Sequence, residues 1–214
     1  MQDLGNTLIV ENGKKILIIN YGMGNIGSIQ NAFLFLGIKT HVSSSIDDIK
    51  NADAYILPGV GAFGAAMNNL NDLNITGALT NQVLKKKKPI LGICLGLQLM
   101  GLGSEEDSSV KGLGWLRADV KRIQMKKLRV PHVGWNNLIF QPGSKLLANV
   151  DENANFYFDH SYHMICDEDL VAAYCNYDLP LVAAIKKGNI WATQFHPEKS
   201  QRNGLKILRN FINS

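Results

Sequence analysis

Cys94 occupies a position where a short apolar strand is expected to turn into a helix. Residues 89–93 have the composition and length of a buried strand, and residues 95–100 continue with good helix formers. Glycines at positions 92 and 96 complete a Gly-x-Cys-x-Gly nucleophile elbow. Such a turn favours a thiolate at the helix N-terminus and directs the Leu95 N–H toward a developing oxyanion. Cys94 is therefore a candidate nucleophile, and a buried structural cysteine is the alternative from this motif alone.

A second set of reactive side chains follows near the C-terminus. Residues 190–195 predict a strand that leads directly into His196-Pro197-Glu198. Residues two apart in an extended segment face the same side, so Glu198 can orient one imidazole nitrogen and leave the other for the Cys94 proton. A lone His-x-Glu is a weak signal. Together with the cysteine elbow it supplies the nucleophile, base and orienting carboxylate of a triad.

The composition indicates one globular domain in a reducing compartment. The chain has 214 residues, 46% of them hydrophobic, and a net charge of only +4. The run of four lysines at 85–88 lacks interleaved aromatic residues, so we interpret it as a solvated helix end rather than a nucleic-acid patch. Three irregularly spaced cysteines predict neither a disulfide framework nor a zinc site. With no leader-like or membrane-length apolar segment, we expect a cytoplasmic protein without nucleic-acid or membrane partners.

Hydrophobic periodicity predicts alternating strands and helices from Ile16 onward. The predicted strands are 16–20, 38–42, 54–57 and 89–93, and the predicted helices are 26–36, a short helix within 43–51, 74–88 and 95–100. This alternation with short connections predicts an α/β fold with a doubly wound, mostly parallel sheet, whose ligands bind beyond the carboxyl ends of the strands.

The second half of the chain changes character. Short β-rich runs at 155–158, 171–175, 181–185 and 190–195, with a hairpin turn at 187–189, predict a mixed or antiparallel extension of the same sheet. A helix at 200–211 closes the chain. We assign residues 16–214 to the domain and residues 1–15 to an N-terminal extension of no assigned function, although Asn12-Gly13 is a hairpin signal.

Two further motifs exclude common ligand sites. The glycine-rich loop Pro58-Gly59-Val60-Gly61 lacks the Gly-Lys-Ser/Thr of a phosphate loop and a clearly placed ribose-binding acid, so it does not predict a nucleotide site. His160 and His163 are three residues apart in a strand-to-loop segment and face different sides. With no third ligand set by spacing, no metal site is predicted.

The order of the motifs resembles that of triad-type, or class I, glutamine amidotransferases. The Gly-Trp-Asn and His-Ser-Tyr segments and the start of the first helix are similar to those of the glutaminase subunits of imidazole glycerol phosphate synthase, and the similarity spans about residues 16–214. The resemblance implies a flavodoxin-like fold. The matching motifs are Tyr21-Gly22-Met23-Gly24-Asn25, Pro58-Gly59-Val60-Gly61, Gly92-Ile93-Cys94-Leu95-Gly96-Leu97-Gln98, Pro131-His132-Val133-Gly134-Trp135-Asn136, His160-Ser161-Tyr162 and Gln194-Phe195-His196-Pro197-Glu198.

This resemblance implies hydrolysis of L-glutamine by a Cys94, His196 and Glu198 triad, without a metal or organic cofactor. It also implies two groups of substrate-binding residues. One group supports the oxyanion and the other holds the amino and carboxylate ends of glutamine. These are Val60, Gly61 and Leu95 for the oxyanion, and Gln98, Ser161 and Tyr162 for the ends of the substrate.

The resemblance further implies a heterodimer with a (β/α)₈ barrel cyclase that receives ammonia through an enclosed channel. The face that docks this partner would contain Trp135 and Asn136, which could equally be core residues, together with Asn25, Tyr157 and Lys199. Asp159 and His163 depart from the family pattern beside this region. Three alternatives therefore stay open: a paralogous glutaminase for a nitrogen-containing surface sugar, a catalytically weak regulatory subunit, and a cysteine peptidase of the same fold.

Overall fold

The computed structural model describes residues 13–125, 127–141 and 143–213. Residues 1–12 of the predicted extension, including Asn12 of the hairpin signal, lie outside them. The described strands are β1 (Ile16–Ile19), β2 (Thr40–Ser43), β3 (Ala54–Leu57), β4 (Ile90–Ile93), β5 (Gly103–Ser104), β6 (Asp107–Lys111), β7 (Ala118–Arg122), β8 (His132–Asn137), β9 (Ile139–Phe140), β10 (Asn155–His160), β11 (Tyr162–Cys166), β12 (Val171–Tyr177), β13 (Leu179–Lys187) and β14 (Ile190–Thr193).

The helices alternate with the first strands and close the chain. They are α1 (Ile26–Phe35), α2 (Ile46–Asn51), α3 (Phe63–Asp72), α4 (Thr76–Thr80), α5 (Leu95–Leu99) and α6 (Gln201–Ile212). A π-helical turn (Asn81–Lys85) follows α4, and 3₁₀ turns occur at Lys145–Leu147, Glu168–Leu170 and Pro197–Lys199. No helix in the described ranges is long and apolar enough to cross a membrane.

An eight-stranded sheet forms the centre of the fold, in the order β2-β1-β3-β4-β14-β13-β12-β9. The first five strands are parallel, and β13, β12 and β9 continue the sheet antiparallel. Every residue of β1, β3, β4 and β14 is buried, as expected of parallel strands covered on both faces. Alternate residues of β1 pack in two separate cores, one with α3, α4 and α5 and the other with α1 and α6. The predicted doubly wound fold with an antiparallel extension is therefore confirmed.

Part of the second half leaves this sheet. The predicted strand at 155–158 is the start of β10, which pairs with β8 in a separate two-stranded sheet rather than in the predicted extension. Another four-stranded sheet has the order β11-β7-β5-β6. The physical reason lies in the burial pattern, because β10 alternates between buried and more exposed residues and therefore has only one face to cover.

Two helix predictions differ from the structure. The helix predicted at 74–88 is shorter in the structure, where α4 and the π-helical turn together span 76–85, because Asn74 and Lys87 at the two ends both have left-handed backbone angles. Helix α3 was not predicted. It begins within the glycine-rich segment, and Ala62 at its N-cap supplies no side-chain hydrogen bond, so the usual start signal is missing.

The turn between β4 and α5 depends on two glycines. A Cβ atom at Gly96 would collide with the carbonyl oxygen of Leu57 at the end of β3. A Cβ at Gly92 would lie 2.8 Å from Met100 Cε and 2.9 Å from the Gly96 carbonyl group. Helix α5 therefore approaches the sheet more closely than any larger residue at these positions allows.

We predict that Gly96→Ala lowers the free energy of unfolding by about 2 to 3 kcal/mol, because the added methyl group has no space against the Leu57 backbone. Gly77→Ala in α4 is the matched control. A Cβ there meets nothing within 4 Å, so stability should rise by up to about 1 kcal/mol. Urea denaturation measures the free energy of unfolding of both variants. Equal changes in the two variants would contradict the prediction that Gly96 has no space for a side chain.

Candidate active site

Cys94 forms the sharp junction between β4 and α5. Its φ and ψ angles are 54° and −109°, a conformation that non-glycine residues rarely adopt. The junction is held by backbone hydrogen bonds, from Cys94 N to Thr193 O at 2.8 Å and from Leu97 N to Cys94 O at 3.0 Å. Only 6% of Cys94 is exposed. The predicted elbow is present, and its strained backbone is of the kind that marks functional sites.

His196 and Glu198 form a buried hydrogen-bonded pair. The distance from His196 Nδ1 to Glu198 Oε1 is 2.8 Å, and the side chains are 3% and 1% exposed. The backbone is pinned as well, because His196 N donates to Tyr157 O at 2.9 Å and His196 O accepts from Ser200 Oγ at 2.6 Å. The sequence predicted this pairing from an extended segment. In the structure β14 ends at Thr193, and Glu198 instead lies in a 3₁₀ turn.

The environment of His196 favours its protonated form. Burial lowers the pKa of His196, but interaction with the Cys94 thiol and the Glu198 carboxylate outweighs burial and raises the pKa to about 10. With Nδ1 bound to Glu198, Nε2 is the nitrogen left for proton transfer at the sulfur. The arrangement therefore places the candidate nucleophile Cys94 beside the base His196, which the Glu198 carboxylate orients.

A cavity of about 310 Å³ opens at Cys94. This volume is at the small end of the range for ligand sites. Glu198 is absent from the cavity lining because it lies behind His196, as an orienting group should. The other predicted site residues all line this one cavity: Cys94, His196, Val60, Gly61, Leu95, Gln98, Ser161 and Tyr162.

The lining also contains charged residues that sequence reasoning did not assign to the site. Glu106, Asp159 and Lys199 all contact the cavity. One carboxylate oxygen of Glu106, Oε2, accepts a hydrogen bond from Phe63 N at 2.8 Å, which holds the side chain at the start of α3. The acidic run at 104–107 was visible in the sequence. Its distance from the other motifs gave no indication that one of its members reaches the nucleophile.

Two buried histidines form a directed hydrogen-bond chain behind the cavity. His160 Nδ1 lies 2.8 Å from Tyr162 O, and because a carbonyl only accepts, this nitrogen carries the hydrogen. His160 Nε2 must then accept from His132 Nδ1 at 3.0 Å, and His132 Nε2 accepts from Asn136 Nδ2 at 3.4 Å. Burial lowers the pKa of His132 to about 4 and that of His160 to about 3, so both rings are neutral at pH 7.

The outer face of the β8–β10 ribbon lies beside the cavity and is partly apolar. Val133 is 53% exposed and Trp135 is 49% exposed, so Trp135 is not a core residue. The Trp135 and Tyr157 rings pack edge to face with centroids 5.9 Å apart, and the Lys199 ammonium lies 5.2 Å from the Tyr157 ring centre. An aromatic surface of this kind is suited to binding another protein.

The fold and site together define the class. A strand-end cysteine beside a buried histidine–carboxylate pair, on a doubly wound sheet, is the arrangement of a thiol-dependent α/β enzyme with a triad. Residues 17–214 match the family model described as "Glutamine amidotransferase class-I". Two solved structures share the fold, a glutamine amidotransferase (TM-score 0.72, 19% identity, covering 92% of this chain and 97% of that chain) and PurLQS from Thermotoga maritima (TM-score 0.71, 17% identity, covering 94% and 98%).

Sequence relatives place the chain more narrowly. "Imidazole glycerol phosphate synthase subunit HisH 2" of Pseudomonas aeruginosa is 43% identical, over 92% of this chain and 98% of the relative. The protein of the same description from Vibrio vulnificus is 46% identical over 92% and 94%, and HisH of Leptospira interrogans is 39% identical over 91% and 97%. The chain belongs to the class I glutamine amidotransferases, in the family of the HisH subunits.

We predict that a glutamine-derived diazo-ketone labels Cys94 and spares the other two cysteines. Burial raises the pKa of Cys166 to about 11 and that of Cys175 to about 12, so neither forms the reactive thiolate near neutral pH. Peptide mapping by mass spectrometry locates the adduct. Alkylation of all three cysteines by iodoacetamide after denaturation is the control that each peptide is detected, and a diazo-ketone adduct mainly on Cys166 or Cys175 in the folded protein would refute the assignment.

Proposed function

We propose that this protein is the glutaminase subunit of an imidazole glycerol phosphate synthase. It hydrolyses L-glutamine to glutamate and ammonia in the cytoplasm and passes the ammonia to a (β/α)₈ barrel cyclase for histidine biosynthesis. The observation that carries the proposal is the buried His196–Glu198 pair beside Cys94. The cavity at this point is lined by all of the predicted substrate-binding residues. The similarity to HisH subunits over more than nine-tenths of the chain supports the same function.

The reaction begins when Cys94 gives its thiol proton to His196 and the sulfur attacks the side-chain amide carbon of glutamine. A carbon–sulfur bond forms, and the amide oxygen becomes an oxyanion. His196 gives a proton to the amide nitrogen as the carbon–nitrogen bond breaks, which releases ammonia and leaves a γ-glutamyl thioester. His196 then takes a proton from water, whose attack on the thioester breaks the carbon–sulfur bond and produces glutamate. The same proton passes from His196 to the departing sulfur and restores the thiol. Glu198 stabilises the imidazolium whenever it forms.

The oxyanion is stabilised by backbone N–H groups at the elbow and at the glycine-rich loop. Leu95 N–H lies at the first residue of α5, directly after the nucleophile. The loop reaches this point because Gly59 has no side chain, since a Cβ there would lie 2.7 Å from Leu95 Cβ. Gly61 has a φ angle of +104°, which L-residues rarely adopt and which orients the loop backbone. Val60 and Gly61 supply the second donor.

Charged groups in the cavity match the two ends of glutamine. The Glu106 carboxylate binds the α-ammonium group, and the Lys199 ammonium attracts the α-carboxylate, alongside Ser161 and Tyr162. Gln98 contributes less to substrate binding than its motif suggests. Its Nε2 group already donates to Tyr162 O and to Gln194 Oε1, both at 3.0 Å, so only its oxygen is available to glutamine.

The barrel partner docks on the outer face of the β8–β10 ribbon. This face contains the exposed Val133 and Trp135 and the half-buried Tyr157, and it lies beside the cavity where ammonia is released. Docking there covers the cavity and keeps ammonia from bulk water, where it would be protonated and unreactive. The assembled triad disfavours a catalytically weak subunit, and the charged ends of the cavity disfavour a peptidase.

One observation favours a second candidate. Asp159 is exposed on the docking face opposite Val133, where the family pattern has an apolar residue. A charge at this position suits a paralogous glutaminase that supplies ammonia to a different synthase, such as one for a nitrogen-containing surface sugar. Mass spectrometry of partners co-purified with the native protein separates the two, because the chemistry at Cys94 is the same in both.

We predict that Glu198→Gln lowers kcat for glutamine hydrolysis by about 10- to 1,000-fold, with a smaller change in KM. The neutral amide removes the charge that stabilises the imidazolium, and this interaction strengthens toward the transition state. Cys94→Ala sets the lower limit and should abolish turnover. Steady-state kinetics with the cyclase partner and its ligand present gives the comparison, and an unchanged kcat in Glu198→Gln would reduce the triad to a dyad.

A separate prediction concerns the partner. Trp135→Ala should weaken binding to the cyclase subunit about 10-fold or more, because exposed aromatic residues at the centre of an interface provide much of its affinity. Phe35→Ala on α1 is the matched control, since Phe35 is 79% exposed but lies on another face. Titration calorimetry measures both variants, and equal affinities for Trp135→Ala and wild type would place the interface elsewhere.

A further inference from the structure

We propose that Gln194 is a positioning residue for the nucleophile: its side-chain N–H donates a hydrogen bond to Cys94 Sγ, and Gln98 fixes the amide in the orientation that makes this possible. This inference rests on the proposed function only in calling the sulfur a nucleophile. Gln194 follows directly after β14 and precedes the reactive histidine by two residues, yet it has no part in the triad.

The contact with sulfur is built into the interior of the protein. Gln194 is completely buried, and its Nε2 lies 3.5 Å from Cys94 Sγ. The backbone on both sides of the contact is held, because Gln194 N donates to Ala183 O and Cys94 N donates to Thr193 O, both at 2.8 Å. The donor and the sulfur are therefore attached to neighbouring parallel strands of the sheet.

The hydrogen-bond chain determines which end of the amide faces the sulfur. Tyr162 O is a carbonyl and can only accept, so the Gln98 atom 3.0 Å from it must be the nitrogen. That same nitrogen lies 3.0 Å from the Gln194 amide, whose facing atom must then be the oxygen. The Gln194 nitrogen is left pointing at Cys94. Reversing the Gln194 amide would place two N–H₂ groups against each other and remove the donor from the sulfur.

This donor acts on the charge state of the sulfur. Cys94 Sγ also lies 3.9 Å from Asp159 O, and a carbonyl oxygen favours the protonated thiol. An N–H donor favours the thiolate, because a hydrogen bond to an ionised group is stronger than one to a neutral group. Gln194 carries no charge of its own, so it stabilises the thiolate whether His196 has gained or lost its proton.

The plain alternative is that Gln194 is only a buried amide that satisfies Gln98. The two roles differ in their effect on the pH dependence of Cys94 reactivity. If Gln194 merely fills space and pairs with Gln98, changing it alters stability but not the pH dependence of Cys94 reactivity. If it positions the thiolate, that dependence moves even in a variant that folds normally.

The test is the rate at which iodoacetamide alkylates Cys94 as a function of pH, read by mass spectrometry of the Cys94 peptide. In Gln194→Met the pH of half-maximal rate should rise by about one unit relative to wild type, the size expected for one hydrogen bond to a charged group. Gln194→Glu keeps the oxygen that accepts from Gln98 but replaces the donor with an oxygen, and the shift should be larger. Gln82→Met, a buried glutamine in the π-helical turn, is the matched control and should behave as wild type.

The other titratable groups around the sulfur are unchanged in these variants. They are His196 and Tyr21, which interact with Cys94, and the cavity residues His160, Glu106, Asp159, Tyr162 and Lys199. A shift in Gln194→Met that is absent from Gln82→Met is therefore attributable to the lost donor, and the larger shift in Gln194→Glu adds the effect of the new carboxylate. Thermal melting identifies any variant that is unfolded, and Gln194→Leu takes the place of Gln194→Met if that variant does not fold.

An unshifted alkylation profile in a folded Gln194 variant would overturn the proposal. Alkylation requires neither glutamine nor the cyclase partner, so this result is distinct from a failure of the proposed function. Steady-state kinetics provides a second criterion. In Gln194→Met, kcat should fall about 10-fold because the thiolate loses its donor. KM for glutamine should change less than about threefold, because Gln194 does not line the cavity. A rise in KM alone would assign Gln194 to the substrate pocket instead.

Discussion

The close approach of helix α5 to the end of β3 is the constraint on which the site depends. Gly96 lies against the Leu57 carbonyl with no room for a side chain, and this contact forces the chain between β4 and α5 through a single strained residue. That residue is Cys94. The same approach brings the loop after β3 beside the elbow, so the proposed nucleophile and the proposed backbone donors are positioned by one packing contact.

Much of the architecture could be predicted because its signals are local. The buried parallel strands β1, β3 and β4 are apolar runs, and α6 has a clear apolar stripe, so these elements are predictable near their true bounds. Helix α3 was missed for an equally local reason, since it starts after glycines with no capping side chain. The helix predicted at 74–88 is longer than the observed one, because periodicity does not reveal that Lys87 has a left-handed backbone or that the second half of the helix is a π-helical turn.

The candidate site shows where sequence reasoning ends. Cys94, His196 and Glu198 were identifiable because triad chemistry requires these residue types and two of them are two positions apart. Glu106 could not be placed, because its position in the cavity depends on a turn between β5 and β6 that brings it to the start of α3. The contacts of Gln98 were also hidden. Its family role suggested substrate binding, whereas the folded chain uses both its hydrogens internally.

The three histidines near the cavity differ in charge because their hydrogen-bond partners differ. His132, His160 and His196 are all almost completely buried, and burial alone lowers the pKa of each. His132 and His160 meet only neutral groups, namely each other, an amide and a carbonyl, so they remain uncharged. His196 meets the Glu198 carboxylate and the Cys94 sulfur, and its pKa rises to about 10. The proximity of His196 also lowers the pKa of His160, so the charge on His196 helps to keep the neighbouring His160 neutral.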